Sequence, residues 1–353
     1  MERTVAAPEV LRPRPGWVRL ARAWETTTVS EALFGRLLGV FVLLVIVLSA
    51  TRIAHGPAAQ TFLLIFTSIA IEALPFILVG AIASAAIAVF LPERAFTSIA
   101  RLPRALQVPT AALGGFAFPV CECGSVPVAR RLIARGVNPG AGIAFMLASP
   151  VLNPLVLGST WVAYGGHVRG AEMVAGRASL GLLAAALAGA VIGRTGAGDL
   201  LRPRPSDHEE YEHDHGPGPA GRAVAFSSHL VSDFLFMGKF IVLGAALSAF
   251  VQTAVPQSFV SALGGTPVVA ALSLMAVAYV LSLCSEADAF VAASFTAFSP
   301  GAQLAFLVLG PIADLKLSVL YSATFRRWFV ARLLLAAVPL IVAGSLVFGA
   351  LVK

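Results

Sequence analysis

Long apolar runs alternate with short basic connections along most of this chain. Seven runs read as membrane-crossing helices, at about 33–51, 61–91, 138–164, 172–194, 228–254, 300–323 and 329–351. A helix needs about 20 predominantly apolar residues to traverse the hydrocarbon core. Two further apolar segments, about 105–136 and 264–298, are interrupted. The first contains Pro109, Gly114, Gly115, Pro119, Gly124 and Pro127; the second contains Gly264, Gly265 and Pro267, then a polar patch from Cys284 to Asp288. Such breakers free backbone N–H and C=O groups that lipid cannot satisfy, so the irregular backbone must be buried in protein or line a watery cavity. Both segments are read as re-entrant hairpins with tips near the midplane. One or two kinked spans each is the plainer alternative.

The pattern repeats. LVGAIASAAIAVFLP from Leu78 is matched by VLGAALSAFVQTAVP from Val242, and NPGAGIAFMLASPVLNPLVL from Asn138 by SPGAQLAFLVLGPIADLKLS from Ser299. The breaks lie between these pairs in both halves. The chain therefore divides into a basic segment 1–32, an extra span 33–51, a repeat 61–194, a polar linker 195–226 and a second repeat 227–351.

Charge fixes the orientation of the halves. Arg12, Arg14, Arg19 and Arg22 place the N-terminus in the cytoplasm, and no apolar core makes the first 30 residues a signal peptide. Trp17, Leu20, Ala21 and Trp24 share one helical face suited to the membrane interface, with a disordered basic tail as the alternative. Arg94, Arg101, Arg104, Arg130, Arg131, Arg135, Arg326, Arg327 and Arg332 all fall inside if the interrupted segments enter and leave on one side; Lys353 is left outside. The second repeat then runs upside down relative to the first. This is an all-α integral membrane fold of about seven full spans plus two broken hairpins, an inverted-topology transporter plan with its site near the midplane.

Composition agrees. The chain is 58% hydrophobic and 12% charged, against about 45–50% and 25% in soluble domains. The net charge of +7 is accounted for by arginines bordering apolar runs, which argues against nucleic acid as a partner. No G-x-x-x-x-G-K-[ST] motif and no large soluble region are present, so an ATP-driven pump is excluded and the chain does not read as an enzyme.

All three cysteines lie in the interrupted segments. Cys121 and Cys123 belong to PVCECGSVP, and Cys284 to LCSEADA. The C-x-C spacing differs from the C-x-x-C of thioredoxin-like chemistry, but paired thiols suit a soft ion such as Cu(I), Zn or trivalent arsenic. A buried cysteine can also be no more than a small hydrophobe. Ionisable residues in lipid-depth segments suggest function by default. Glu122 lies in the first tip; Ser285, Glu286 and Asp288 lie in the second. Asp314 stands where the first repeat has Asn153, with Lys316 nearby as a partner. Glu72 and Lys239 occupy the early span of each repeat, Lys239 at the position matching Pro75. Glu72, Lys239 and Lys316 are candidates for ion coupling. Glu122 and Glu286 are candidate proton carriers, against the alternative of structural pairs such as Lys239 with Asp288 or Glu286. Gly124, Pro127, Gly140, Pro150 and Pro154 are expected to shape the backbone at the site.

The linker carries DHEEYEHDHG, with His208, His213 and His215 among five acids. That density can hold Zn²⁺, although a solvated acidic loop has the same composition. No cofactor is required by the rest of the chain.

The stretch CECGSVPVARRLIARGVNPGAGIAFMLASPVLNP resembles the signature of a predicted-permease family that includes ArsP and YraQ, through its C-x-C-G-x-x-P, G-x-x-P-G and small-P-x-x-N-P elements. Glu72-Ala-Leu-Pro75 followed by Gly80 resembles that family's early span. The likeness covers roughly 60–350. It implies a multi-span permease of the inner (plasma) membrane and, for an ArsP-like member, efflux of trivalent organoarsenicals through thiols at Cys121 and Cys123. A divalent-metal permease, an intramembrane thiol redox protein and the membrane subunit of a larger complex remain open, as does a homo-oligomer.

Overall fold

The computed structural model describes residues 56–90, 104–117, 121–203, 219–254 and 266–352. The expected first span at 33–51, the basic segment 1–32 and the linker histidines lie outside these residues. Among the described residues the fold is all helical, apart from one antiparallel bridge between Leu201 and Phe325. Among the described residues, six segments are long and apolar enough to cross a membrane.

The first half contains α1 (Pro57–Phe90), α2 (Arg104–Ala117), α3 (Glu122–Ala134), α4 (Pro139–Leu152), α5 (Pro154–Ala163) and α6 (Val168–Ile192). A short α7 (Ala197–Leu200) follows. The second half contains α8 (Pro219–Ala254), α9 (Pro267–Leu281), α10 (Asp288–Ser294), α11 (Pro300–Ile312), α12 (Leu315–Thr324) and α13 (Trp328–Leu351). The order of elements is the same in both halves: a long helix, two short helices around a break, a span broken in two, and a final long helix. The pairing of elements follows suit. α1 packs on α8 and α6 on α13, while α2 packs on α4 as α9 does on α11. The broken spans exchange partners: α5 packs on α10, and α12 on α3.

The runs 138–164 and 300–323 are candidate membrane spans, each built of two helices around a break. The first breaks at Asn153, because Pro154 lacks an N–H and its ring opposes the preceding turn. The Asn153 side chain then caps α5 by accepting from the Leu155 N–H at 3.0 Å. The second breaks at Ala313, whose backbone is extended, and Asp314 caps α12 by accepting from the Leu317 N–H. The linker is shorter than 195–226. α8 already begins at Pro219, with proline at a helix start where its missing N–H costs nothing, and residues 200–202 pair with 324–326.

Small residues let the helices approach closely, as packing in lipid favours. A Cβ on Gly80 of α1 would collide with the Gly124 backbone of α3. Gly140 meets Gly189 and Gly193 of α6, and its counterpart Gly301 meets Ser345 and Gly349 of α13. Gly140 thus sets the close approach of α4 to α6. The backbone opposite Gly80 has no flexible end to yield. Gly80→Val is therefore expected to destabilise by about 1–3 kcal/mol or more. Thermal unfolding in detergent checks this; a wild-type midpoint would contradict the close crossing.

Candidate functional site

The breaks bring polar side chains into the apolar interior. Cys121 stands before α3 in extended conformation, and its carbonyl accepts from the Gly124 and Ser125 N–H groups. Glu122 is the first residue of α3, where a carboxylate complements the helix dipole. Its side chain is 1% exposed. One carboxylate oxygen accepts from the Ser285 hydroxyl in the second break. The other lies 3.3 Å from the Lys316 ammonium on α12. Lys316 is also 3.8 Å from Asp314. The sequence-expected Lys316–Asp314 pair is present, but Glu122 is the nearer counter-ion, and one Asp314 oxygen is committed to capping.

The thiols join this cluster. Cys121 and Cys123 are buried on either side of Glu122 at the first break, and Cys284 is buried at the second, next to Ser285. The Cys284 thiol donates to Glu286 at 2.8 Å. Glu72 is half-buried on α1. All three cysteines are free thiols. Among the described residues, no three His, Cys, Asp or Glu side chains are grouped so as to hold a metal ion. Glu286 keeps one buried oxygen without a hydrogen-bond partner among them.

The second break starts under strain. Ser282 adopts φ 49° and ψ 44°, a left-handed conformation unusual for a residue with a Cβ. It is held there from two sides: the Ser248 hydroxyl donates to its Oγ at 3.0 Å, and the Lys316 N–H approaches at 3.4 Å. Ser248 and Ser84 occupy matching positions on α8 and α1, so the long helices brace the interior alike. Ser84 and Arg131 both bond Asp233, at 2.7 and 2.9 Å.

Asp288 lies on a separate arm of the network. Arg177 of α6, fully buried, grips it with two parallel hydrogen bonds of 2.9 and 2.6 Å. The same guanidinium donates to Thr160 Oγ1 at 2.8 Å and approaches the Ser285 carbonyl at 3.4 Å. The alternative of a structural pair between Asp288 and Lys239 is not what the fold builds: Asp288 pairs with Arg177. Lys239 lies over the rings of Phe236 and Phe240, at 5.1 and 5.5 Å. Asn153 is spent on capping and Gly140 on packing. Pro127 and Pro150 sit inside α3 and α4. Reading by sequence missed Arg177, Thr160, Ser248 and Ser282. Arg177 had a signal, a lone arginine within an apolar span. The serines and threonine had none, because hydroxyls are common in lipid-depth helices.

Three contacts at this centre join the two halves: Glu122 to Lys316, Arg177 to Asp288, and Ser285 to Glu122. The chain is 40% identical over 284 residues to "UPF0718 protein YcgR" of Bacillus subtilis, covering 80% of this chain and 95% of that one. It is 33% identical over 295 residues to a Streptococcus mutans protein named "Putative two-component membrane permease complex subunit", covering 81% and 94%. No solved structure matches the chain. The family model ArsP_1, described as "Predicted permease", matches residues 58–350, and the chain is a multi-pass membrane protein of that permease family.

Proposed function

We propose that the protein is an inner-membrane permease of two inverted repeats that carries a small thiol-reactive substrate, of the trivalent organoarsenical class, outward past the two helix breaks. The observation that supports this reading is that Glu122, between Cys121 and Cys123 at the first break, meets Ser285, next to Cys284 at the second break, and Lys316 of the second half. Thiolates suit soft centres such as As(III), and the carboxylates outnumber the single ammonium, which favours a substrate that brings or exchanges positive charge. The inverted arrangement, with the N-terminus in the cytoplasm, is supported by the arginine-rich connections and the duplicated order of elements. Everted vesicles supplied with methylarsenite test the reading. Cys121→Ser should abolish accumulation while expression stays at the wild-type level; unchanged accumulation would remove the thiols from the transport path.

A second reading rests on the Streptococcus mutans relative, whose name makes it one subunit of a two-component complex. Under it, the chain is the membrane subunit of such a complex and a partner protein completes the permease. Affinity purification in mild detergent separates the two readings: a stoichiometric partner, together with tolerance of cysteine loss, supports the second.

A further inference from the structure

The cytoplasm-assigned end of the molecule carries a second feature that the transport centre does not use. α7 leads into Leu201, which bridges Phe325 in the turn between α12 and α13. Backbone bonds fix the two strands: the Arg202 N–H donates to the Thr324 carbonyl and the Arg326 N–H to the Leu200 carbonyl, each at 3.0 Å. Arg202, opposite Thr324, and Arg326, opposite Leu200, are thereby anchored at diagonal positions of the bridge. Together with Arg327, Pro203 and Trp328 they line a cavity of about 750 Å³. One Arg326 nitrogen donates to the Gly198 carbonyl at 3.4 Å. Among the described residues no carboxylate forms an ion pair with Arg202, Arg326 or Arg327.

An apolar groove adjoins this basic pocket. It runs between α6 and α13, has a volume of about 640 Å³, and is lined by Leu187, Val191, Leu335 and Pro339 with Arg332 at one end. Arg332 stacks over the Trp328 ring at 4.3 Å, and Trp328 itself lines the basic pocket. The two cavities are thus joined through one side-chain pair. Their chemistry changes there from three guanidinium groups to exposed hydrocarbon at the end of a membrane-spanning helix.

We propose that this composite cavity binds one anionic phospholipid, with its phosphate among Arg202, Arg326 and Arg327 and an acyl chain along the α6–α13 groove. Guanidinium forks recognise phosphate oxygens through paired, charge-assisted hydrogen bonds. Basic pockets beside membrane helices recognise anionic headgroups, and tryptophan favours the interface. A free phosphate would satisfy the arginines but leave the groove without a role. Because the groove lies where α6 packs on α13, a bound lipid would brace the two halves against each other.

Thermal unfolding of delipidated protein in detergent tests the proposal, using dioctanoyl phosphatidylglycerol, dioctanoyl phosphatidylcholine and inorganic phosphate as separate additives. Phosphatidylglycerol near saturation should raise the apparent Tm by about 3–6 °C, while the other two leave it unchanged. Arg202→Gln/Arg327→Gln should weaken the phosphatidylglycerol response at least about tenfold in concentration. Ala336→Trp, which fills the groove without touching the arginines, should weaken it as well. An equal response to inorganic phosphate would overturn the lipid assignment in favour of a free-anion site. Equal shifts from both lipids, or a full response in the groove-filling variant, would overturn it too. If the arginine pair fails to fold, Arg327→Gln alone decides, since Arg327 is exposed and makes none of the bridge contacts.

Discussion

Arg177→Met is expected to destabilise the protein by about 3–5 kcal/mol, the usual consequence of stranding one partner of a buried ion pair. Asp288 would be left 2% exposed, deprived of both guanidinium bonds, with the Ser285 carbonyl and Thr160 losing a donor as well. Arg177→Met/Asp288→Leu removes both charges and should recover most of the loss, because well-packed hydrophobic groups often replace a buried pair without penalty. Unfolding midpoints for the two single variants and the double variant measure the coupling. Additive losses would contradict the pairing. Transport need not follow stability: the double variant keeps the fold but loses a contact between halves. A stable, inactive double variant would mark the pair as part of the moving parts.

The second large effect is expected at Glu122. Glu122→Gln retains the shape and can still accept from Ser285, yet removes the charge that faces Lys316. Charge-assisted hydrogen bonds contribute about 1.5–3 kcal/mol each. Lys316 would keep only Asp314, at the longer distance and with one oxygen already engaged. Transport in vesicles is expected to fall by about tenfold or more, with a smaller loss of thermal stability than for Glu122→Ala. Lys316→Met/Glu122→Gln restores neutrality, and a return of stability without transport would assign the pair to function. Wild-type transport by Glu122→Gln would show that the carboxylate serves only to hold α3 against α12.

Much of the fold was legible because the apolar runs, the prolines and the repeated segments all point the same way. Pro150 and Pro154 pointed to a break in the span 138–164, and α4 gives way to α5 at Asn153. Helix caps were harder to read: Asn153 and Asp314 look like polar residues available to a substrate, but each satisfies the orphan N–H groups of the helix that follows it. The site was half legible. Cys121, Glu122, Cys284, Glu286 and Lys316 are recognisable one by one, since ionisable or thiol groups are costly or unusual at lipid depth. Which of them meet is a matter of long-range packing. α3 finds α12 and α5 finds α10 across the repeats, and no local periodicity encodes that exchange. For the same reason the alternative pairing for Asp288 named Lys239, a residue of its own repeat, when its partner is Arg177 from the other half.

The central claim is that both helix breaks contribute thiols to one binding site. Binding to purified protein tests it most directly, comparing wild type with Cys121→Ser/Cys123→Ser/Cys284→Ser. Methylarsenite, arsenite, Zn²⁺ and Cu(I) are titrated in turn and bound metal or arsenic is quantified per chain. The account predicts stoichiometric binding of methylarsenite to the wild type and none to the triple variant, with the fold intact by thermal unfolding. Equal binding by both proteins, or none by either, would contradict it and return the three cysteines to the status of small buried hydrophobes.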